Sequence, residues 1–180
     1  MKIALTNLGK YNEGRLVYTW LDLPFTEEEF ENAKSKIGIN ERYEEYFISD
    51  TEVEKGEYPG KIGEYTDLDD LNENVKKYES YSESDKQVIR ALCNTIGCDV
   101  DEAMDMVNDG KISYVYTDGY ESLSSEEEKA AYAYIDQVYG SVSLLDRKTL
   151  EEYFDFESYG RDLLMNGGDY DSDEEIVILK

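Results

Sequence analysis

TLEEYFDFESYGRDLLMNGGDYDSDEE, residues 149–175, holds ten carboxylates and a single cation, Arg161, yet Tyr, Phe and Leu recur through it at packing intervals. A disordered acidic tail is depleted in such side chains, so the stretch reads as folded structure carrying a dense negative face. With Asp155 as cap, a helix to about Met165 places Phe156, Tyr159, Leu163 and Leu164 on one side and turns Glu157 and Asp162 outward. Asn166 and Gly167 supply the stop signal. Taken singly, each acid is better read as part of the solvated face of an amphipathic helix. A function must come from their number and their lack of partners.

Outward from this stretch, EEIVILK closes the chain as a strand, paired with 112–117 in the alternating KISYVYTD. Between them Ser124 or Ser125 caps a helix over 126–139, and LLDRKTLEEYF suggests a further short helix. The middle of the chain has helical periodicity throughout. Thr66 opens a helix to about Tyr81 with Leu68, Leu71, Val75 and Tyr78 in register; Ser84 with Gln87 opens a second, ending at Gly97; Asp99 with Glu102 opens a third, stopped by Asn108 and Gly110. At the N-terminus, 2–8 and 15–23 read as an antiparallel pair joined by the turn-prone GKYNEG, with Trp20 in the core, and 43–50 as a third strand. Thr26 with Glu29 forms a capping box and Phe25 with Phe30 a hydrophobic staple, giving a helix over 27–37 closed by Gly38. The glycine cluster and Pro59 of TEVEKGEYPGKIGEY mark a boundary near 65. The expected fold is α+β in three small subdomains: 1–65, antiparallel sheet plus helix; 66–111, helical; 112–180, sheet plus helices.

The charge pattern narrows the function. The net charge is −25 over 180 residues, and all three segments are acidic, at −6, −7 and −12 in order. Two like charges about 6 Å apart repel by roughly 0.7 kcal/mol even in water, and solubility alone calls for only about 2–8 net charges on a small domain. Such a surface repels nucleic acid and anionic membranes and attracts basic proteins. There is no histidine, which removes the commonest general base and metal ligand together. Cys93 and Cys98 read as buried free thiols of one helix, without a second pair to build a zinc site or disulfide framework. No apolar run approaches the roughly 20 residues of a membrane span, and MKIALTNLGKYNEG lacks a signal-peptide core, so the expected compartment is the cytoplasm. DYDSDEE begins like a calcium loop but has Glu174 where glycine is required and Lys180 where a bidentate glutamate is required. There is no phosphate loop and no dinucleotide fingerprint. No catalytic residue, metal site or cofactor is implied.

Two segments together resemble the ArdA family of antirestriction proteins. One is LTNLGKYNEGRLVYTWLDLP with EEYFISDTE, matching a YN-x-G turn, a tryptophan-bearing strand and a YFI-x-D-like strand. The other is LEEYFDFESYGRDLLMNGGDY, close to the family's GRD-L-x-x-NG segment, and YTDLDDLNE at 65–73 fits the family's middle region. The resemblance implies a non-enzymatic protein carried by mobile elements, three small subdomains in a curved, elongated homodimer joined through 112–180. It also implies imitation of bent double-stranded DNA in the groove of Type I restriction-modification enzymes. The charge agrees in scale: duplex DNA carries one charge per roughly 1.7 Å, so two chains of −25 match about 85 Å of it. The acids expected to meet the partner's Lys and Arg are Asp67, Asp69, Asp70 and Glu73 in the middle and Asp146, Glu151, Glu152, Asp155, Glu157 and Asp162 near the GRDL segment. Arg161 is expected to be an internal anchor for a neighbouring carboxylate. Two other classes stay open: a generic acidic interaction module for another basic protein, and a carboxylate-based or calcium-dependent enzyme.

Overall fold

A computed structural model describes residues 1–139, 148 and 152–179. The chain divides into two compact units, Met1–Lys86 and Gln87–Lys180. Among the described residues the architecture is α+β, with one three-stranded antiparallel sheet in each unit.

In the first unit β1 (Lys2–Asn7) is the central strand between β2 (Tyr18–Asp22) and β3 (Tyr46–Glu52). The registers Ile3↔Leu21 and Leu5↔Ile48 bring apolar residues together across the sheet, and Ile3, Leu5, Leu21 and Ile48 are all buried. Helix α2 (Glu27–Ile37) lies against β1 and β2, burying Phe30, Ala33 and Ile37. Its capping box at Thr26 and Glu29 forms as expected, and the Phe25 and Phe30 rings stack 5.1 Å apart. Gly38 ends the helix at φ 77°, a left-handed conformation that favours glycine. Two expectations change here. GKYNEG is only partly a turn, because Asn7 accepts from Lys10 N and caps a short helix α1 (Leu8–Asn12), while Asn7 Nδ2 donates to Ile37 O at 3.2 Å. Trp20 is 41% exposed instead of sitting in the core. Strand alternation sends the neighbouring Leu21 inward, so Trp20 takes the opposite face, edge to face with Tyr18.

Helix α3 (Leu68–Glu79) completes this unit with Leu71, Val75 and Tyr78 buried. Its cap is Asp67, one residue later than Thr66, whose hydroxyl instead accepts from Gly63 N. Asn72 on its inner side donates to Phe25 O at 3.0 Å and accepts from Phe25 N at 2.7 Å, tying α3 to the start of α2.

Helix α4 (Glu83–Thr95) contains the division between the units. Ser82, not Ser84, caps it by accepting from Asp85 N. Helix α5 (Val100–Asn108) is capped by Asp99 as expected. Cys98 lies beyond the end of α4, and both thiols are free and half-buried, with burial pushing Cys93 up to about 12. In the second unit β4 (Ser113–Tyr116) pairs with β6 (Ile176–Leu179), as the closing EEIVILK requires. The strand β5 (Gly168–Asp171) was hidden in the acidic stretch and flanks β6 on the other side. Helices α6 (Glu126–Tyr139) and α7 (Phe156–Met165) pack together over this sheet around Val115, Ala130, Ala133 and Val177. A second cluster stacks Tyr132 on Phe156 at 3.9 Å. The expected helix in 144–154 falls largely outside the described residues.

Candidate acidic binding surface

The clustering of acids without cations follows from where the helices begin. Acids occupy the first turn of α2, α3, α4, α5, α6 and α7, where unpaired backbone N–H groups and the helix dipole favour negative charge. Basic residues occupy the last turn only of α2 and α3 in this set. Each helix start therefore offsets part of the repulsion that its acids create.

At the start of α3, Asp67 accepts from Asp69 N at 2.9 Å and Asp70 N at 3.1 Å. Asp69, Asp70 and Glu73 follow on the same helix, and all four are exposed. None of the four forms an ion pair among the described residues. Asp69 and Glu73 are four residues apart, so one helical turn of about 5.4 Å separates them along the axis. At the start of α7, Asp155 accepts from Ser158 N at 2.9 Å and from Ser158 Oγ at 2.7 Å. These bonds hold its carboxyl below the usual range, the backbone donor contributing most. Glu152, Asp155, Glu157 and Asp162 are exposed, and seven-residue spacing puts Asp155 and Asp162 on one face two turns apart. Asp146 and Glu151 lie outside the described residues.

Arg161 corrects an expectation. It does pair with a neighbouring acid, Glu157 Oε1 at 2.8 Å, but its side chain is 51% exposed, so it is a surface ion pair one turn along the helix and not an internal anchor. Glu157 is thus the one described candidate on α7 whose charge is locally answered. The neighbouring glycine does the internal work. Gly160 is buried, and a Cβ there would stand 1.8 Å from Glu127 O, so α6 and α7 approach at a distance only glycine permits.

The DYDSDEE segment also resolves. Asp171 Oδ2 accepts from Asn94 Nδ2 at 3.0 Å, and its Oδ1 accepts from Asp173 N and Glu174 N, shaping the β5–β6 turn. Glu174 takes a bidentate grip from Arg90, at 2.9 and 3.0 Å, with both side chains largely shielded from solvent. These two acids fasten the hairpin to α4 and are not partner-facing charge. Sequence reading missed this because Arg90 and Asn94 lie some eighty residues away; four apart on a helix, they were legible only as one shared face.

A family model described as antirestriction protein (ArdA) matches residues 3–176. The chain belongs to the ArdA antirestriction family. No curated protein gives a match. The GRDL segment that carries the ArdA resemblance is thereby given a physical meaning: its glycine seats α7 on α6, while its aspartate, Asp162, stays at the surface. The YNEG segment ends α1, with Gly14 at φ 79°. The family is one of antirestriction proteins. Among the described residues no helix is long and apolar enough to cross a membrane.

Proposed function

We propose that the chain stands in for double-stranded DNA: it occupies the DNA-binding groove of Type I restriction-modification enzymes and inhibits them by binding, without chemistry of its own. The observation that carries this reading is the set of exposed carboxylates along α3 and α7 and at their caps, of which only Glu157 forms an ion pair among the described residues. Side chains built to grip phosphates pair equally with carboxylates, and Arg does so bidentately. A cytoplasmic homodimer doubles the −25 of one chain, with the −12 of 112–180 as its densest part.

The test is a competition. Purified protein displaces duplex DNA from a Type I enzyme, and displacement weakens as salt rises because ion pairing drives it. No displacement at low salt across several such enzymes overturns the reading. Binding to the enzyme without loss of DNA binding would point instead to a generic acidic interaction module. Light scattering at twice the 20.8 kDa chain mass supports the homodimer; the mass of one chain at micromolar concentration removes it.

A further inference from the structure

Within the first unit a cleft of about 370 Å³ opens between the start of β3 and the segment that leads into α3. That volume lies at the small end of ligand sites, roughly 300–1,000 Å³, and suits one or two side chains. Phe47, Ile48 and Leu68 line it from the buried side, and Tyr65, 75% exposed, stands at its mouth. Tyr46 lies between, edge to face with Phe30; burial pushes its hydroxyl up, and Lys34 acts on it ahead of Asp69 and Asp67. Four exposed acidic residues are among those lining it: Glu44 and Glu45 before β3, Glu64 and Asp67 before α3. No Lys or Arg lines it, and none of the four acids forms an ion pair among the described residues.

The walls are fixed. Ile48 N donates to Glu64 O at 2.9 Å, and Leu8 N donates to Glu45 O at 3.0 Å. Asp67 is locked by its two cap hydrogen bonds to the start of α3. Four acidic residues without an ion pair among the described residues therefore surround an apolar and aromatic floor, Asp67 eased by its two cap hydrogen bonds.

We propose that this cleft receives an arginine side chain of a basic partner protein. The proposal rests on the reading of the chain as a decoy for DNA-binding surfaces, and it adds a feature that duplex DNA does not offer. A guanidinium is weakly hydrated, stacks on aromatic faces and forks onto carboxylates; an ammonium is strongly hydrated and gains little from an apolar floor. A metal ion is a poorer fit, since no group of three or more His, Cys, Asp or Glu among the described residues is placed to hold one. Charge imitation along the helix starts would attract any basic surface, whereas an arginine seated here selects a partner with that residue at a fixed place.

The experiment is an NMR titration of the full chain with N-acetyl-arginine amide, its lysine counterpart and its neutral citrulline counterpart. Arginine is expected to shift backbone amides centred on 44–48 and 64–68, lysine more weakly, citrulline not at all. Asp67→Asn keeps a capping side chain while removing the charge, and Tyr65→Ala removes an exposed ring. Asp67→Asn is expected to weaken arginine binding by roughly tenfold, the weight of one hydrogen bond to a charged group, and Tyr65→Ala by roughly two- to fivefold, the weight of one cation–π contact at an exposed site, with the melting temperature unchanged. Equal shifts from arginine and lysine, shifts spread over every acidic helix start, or no shift overturn the proposal. The two readings fail separately. A chain that displaces DNA from the enzyme but shows no arginine preference loses the cleft and keeps the mimicry. Arginine seated in the cleft without displacement of DNA does the reverse.

Discussion

The acids of the β5–β6 hairpin and those exposed along α3 and α7 are chemically the same and physically opposite. Asp171 and Glu174 are buried and bonded to Asn94 and Arg90, so their charge is consumed in holding the second unit together. Asp69, Asp70, Glu73 and Asp162 are exposed and make no ion pair among the described residues. A net charge of −25 is thus not a uniform coat. Part of it builds the fold, and the rest stays exposed at the surface.

The sharpest way to break this comparison is to remove Glu174. Glu174→Ala takes away the carboxylate that Arg90 grips in a shielded site, and loss of one partner of a buried pair costs about 3–5 kcal/mol. Urea unfolding should show a large drop in midpoint, even though the change lowers the net negative charge. A midpoint that rises would mean that self-repulsion, not the buried pair, governs the hairpin. Next in size is Gly160→Ala. The added Cβ meets backbone at Glu127 and not a side chain that could swing away, so α6 and α7 must part. Overpacking of this kind costs about 1–3 kcal/mol. Unchanged stability would show that the helices do not approach as closely as the glycine implies.

The exposed set predicts the converse. Asp162→Asn combined with Asp70→Asn should alter stability by no more than about 0.5 kcal/mol each, while weakening competition with DNA and flattening its dependence on salt. Added salt should raise the melting temperature of the unaltered chain by screening the remaining repulsion. A double variant that inhibits as well as the original would move the contact surface away from these faces of α3 and α7.

Much of this was legible in the sequence, because it depends on local chemistry. The capping box at Thr26 and Glu29, the Asp99 and Asp155 caps, and the pairing of the closing strand with 113–116 all rest on spacing within a dozen residues or on clear alternation. The exposure of the candidate acids of α3 was legible for the same reason, since acids opposite an apolar stripe must face water. What escaped needed partners distant in the chain. Whether Glu174 faced solvent depended on Arg90, and β5 depended on β6 offering it an edge. Trp20 was read as core because tryptophan usually is; strand alternation, fixed by Leu21, decided otherwise. The cleft acids Glu44, Glu45 and Glu64 lie outside helices, so helical periodicity could not flag them.

Asp155 carries the smallest effect and bridges the two classes, being exposed yet structural. It caps α7 as a carboxylate, and the N–H and O–H of Ser158 hold its carboxyl below the usual range. A group whose folded value is depressed contributes stability that is fully present above its unfolded value, roughly 3.9 for Asp. That contribution fades as pH falls through the folded value. Asp155→Ala should therefore be less stable than the original chain at neutral pH, with the gap closing below about pH 4. Acidification toward the isoelectric point near 4.1 also relieves repulsion throughout the molecule, so the original chain alone cannot separate the two trends. Asp155→Asn does, because it lacks the charge and retains a capping oxygen. Its advantage over Asp155→Ala should be independent of pH, whereas that of the original chain should shrink with acid. If both advantages stay flat down to pH well below the aspartate range, the ionised form of Asp155 has no special part in holding α7, and its charge belongs wholly to the surface set.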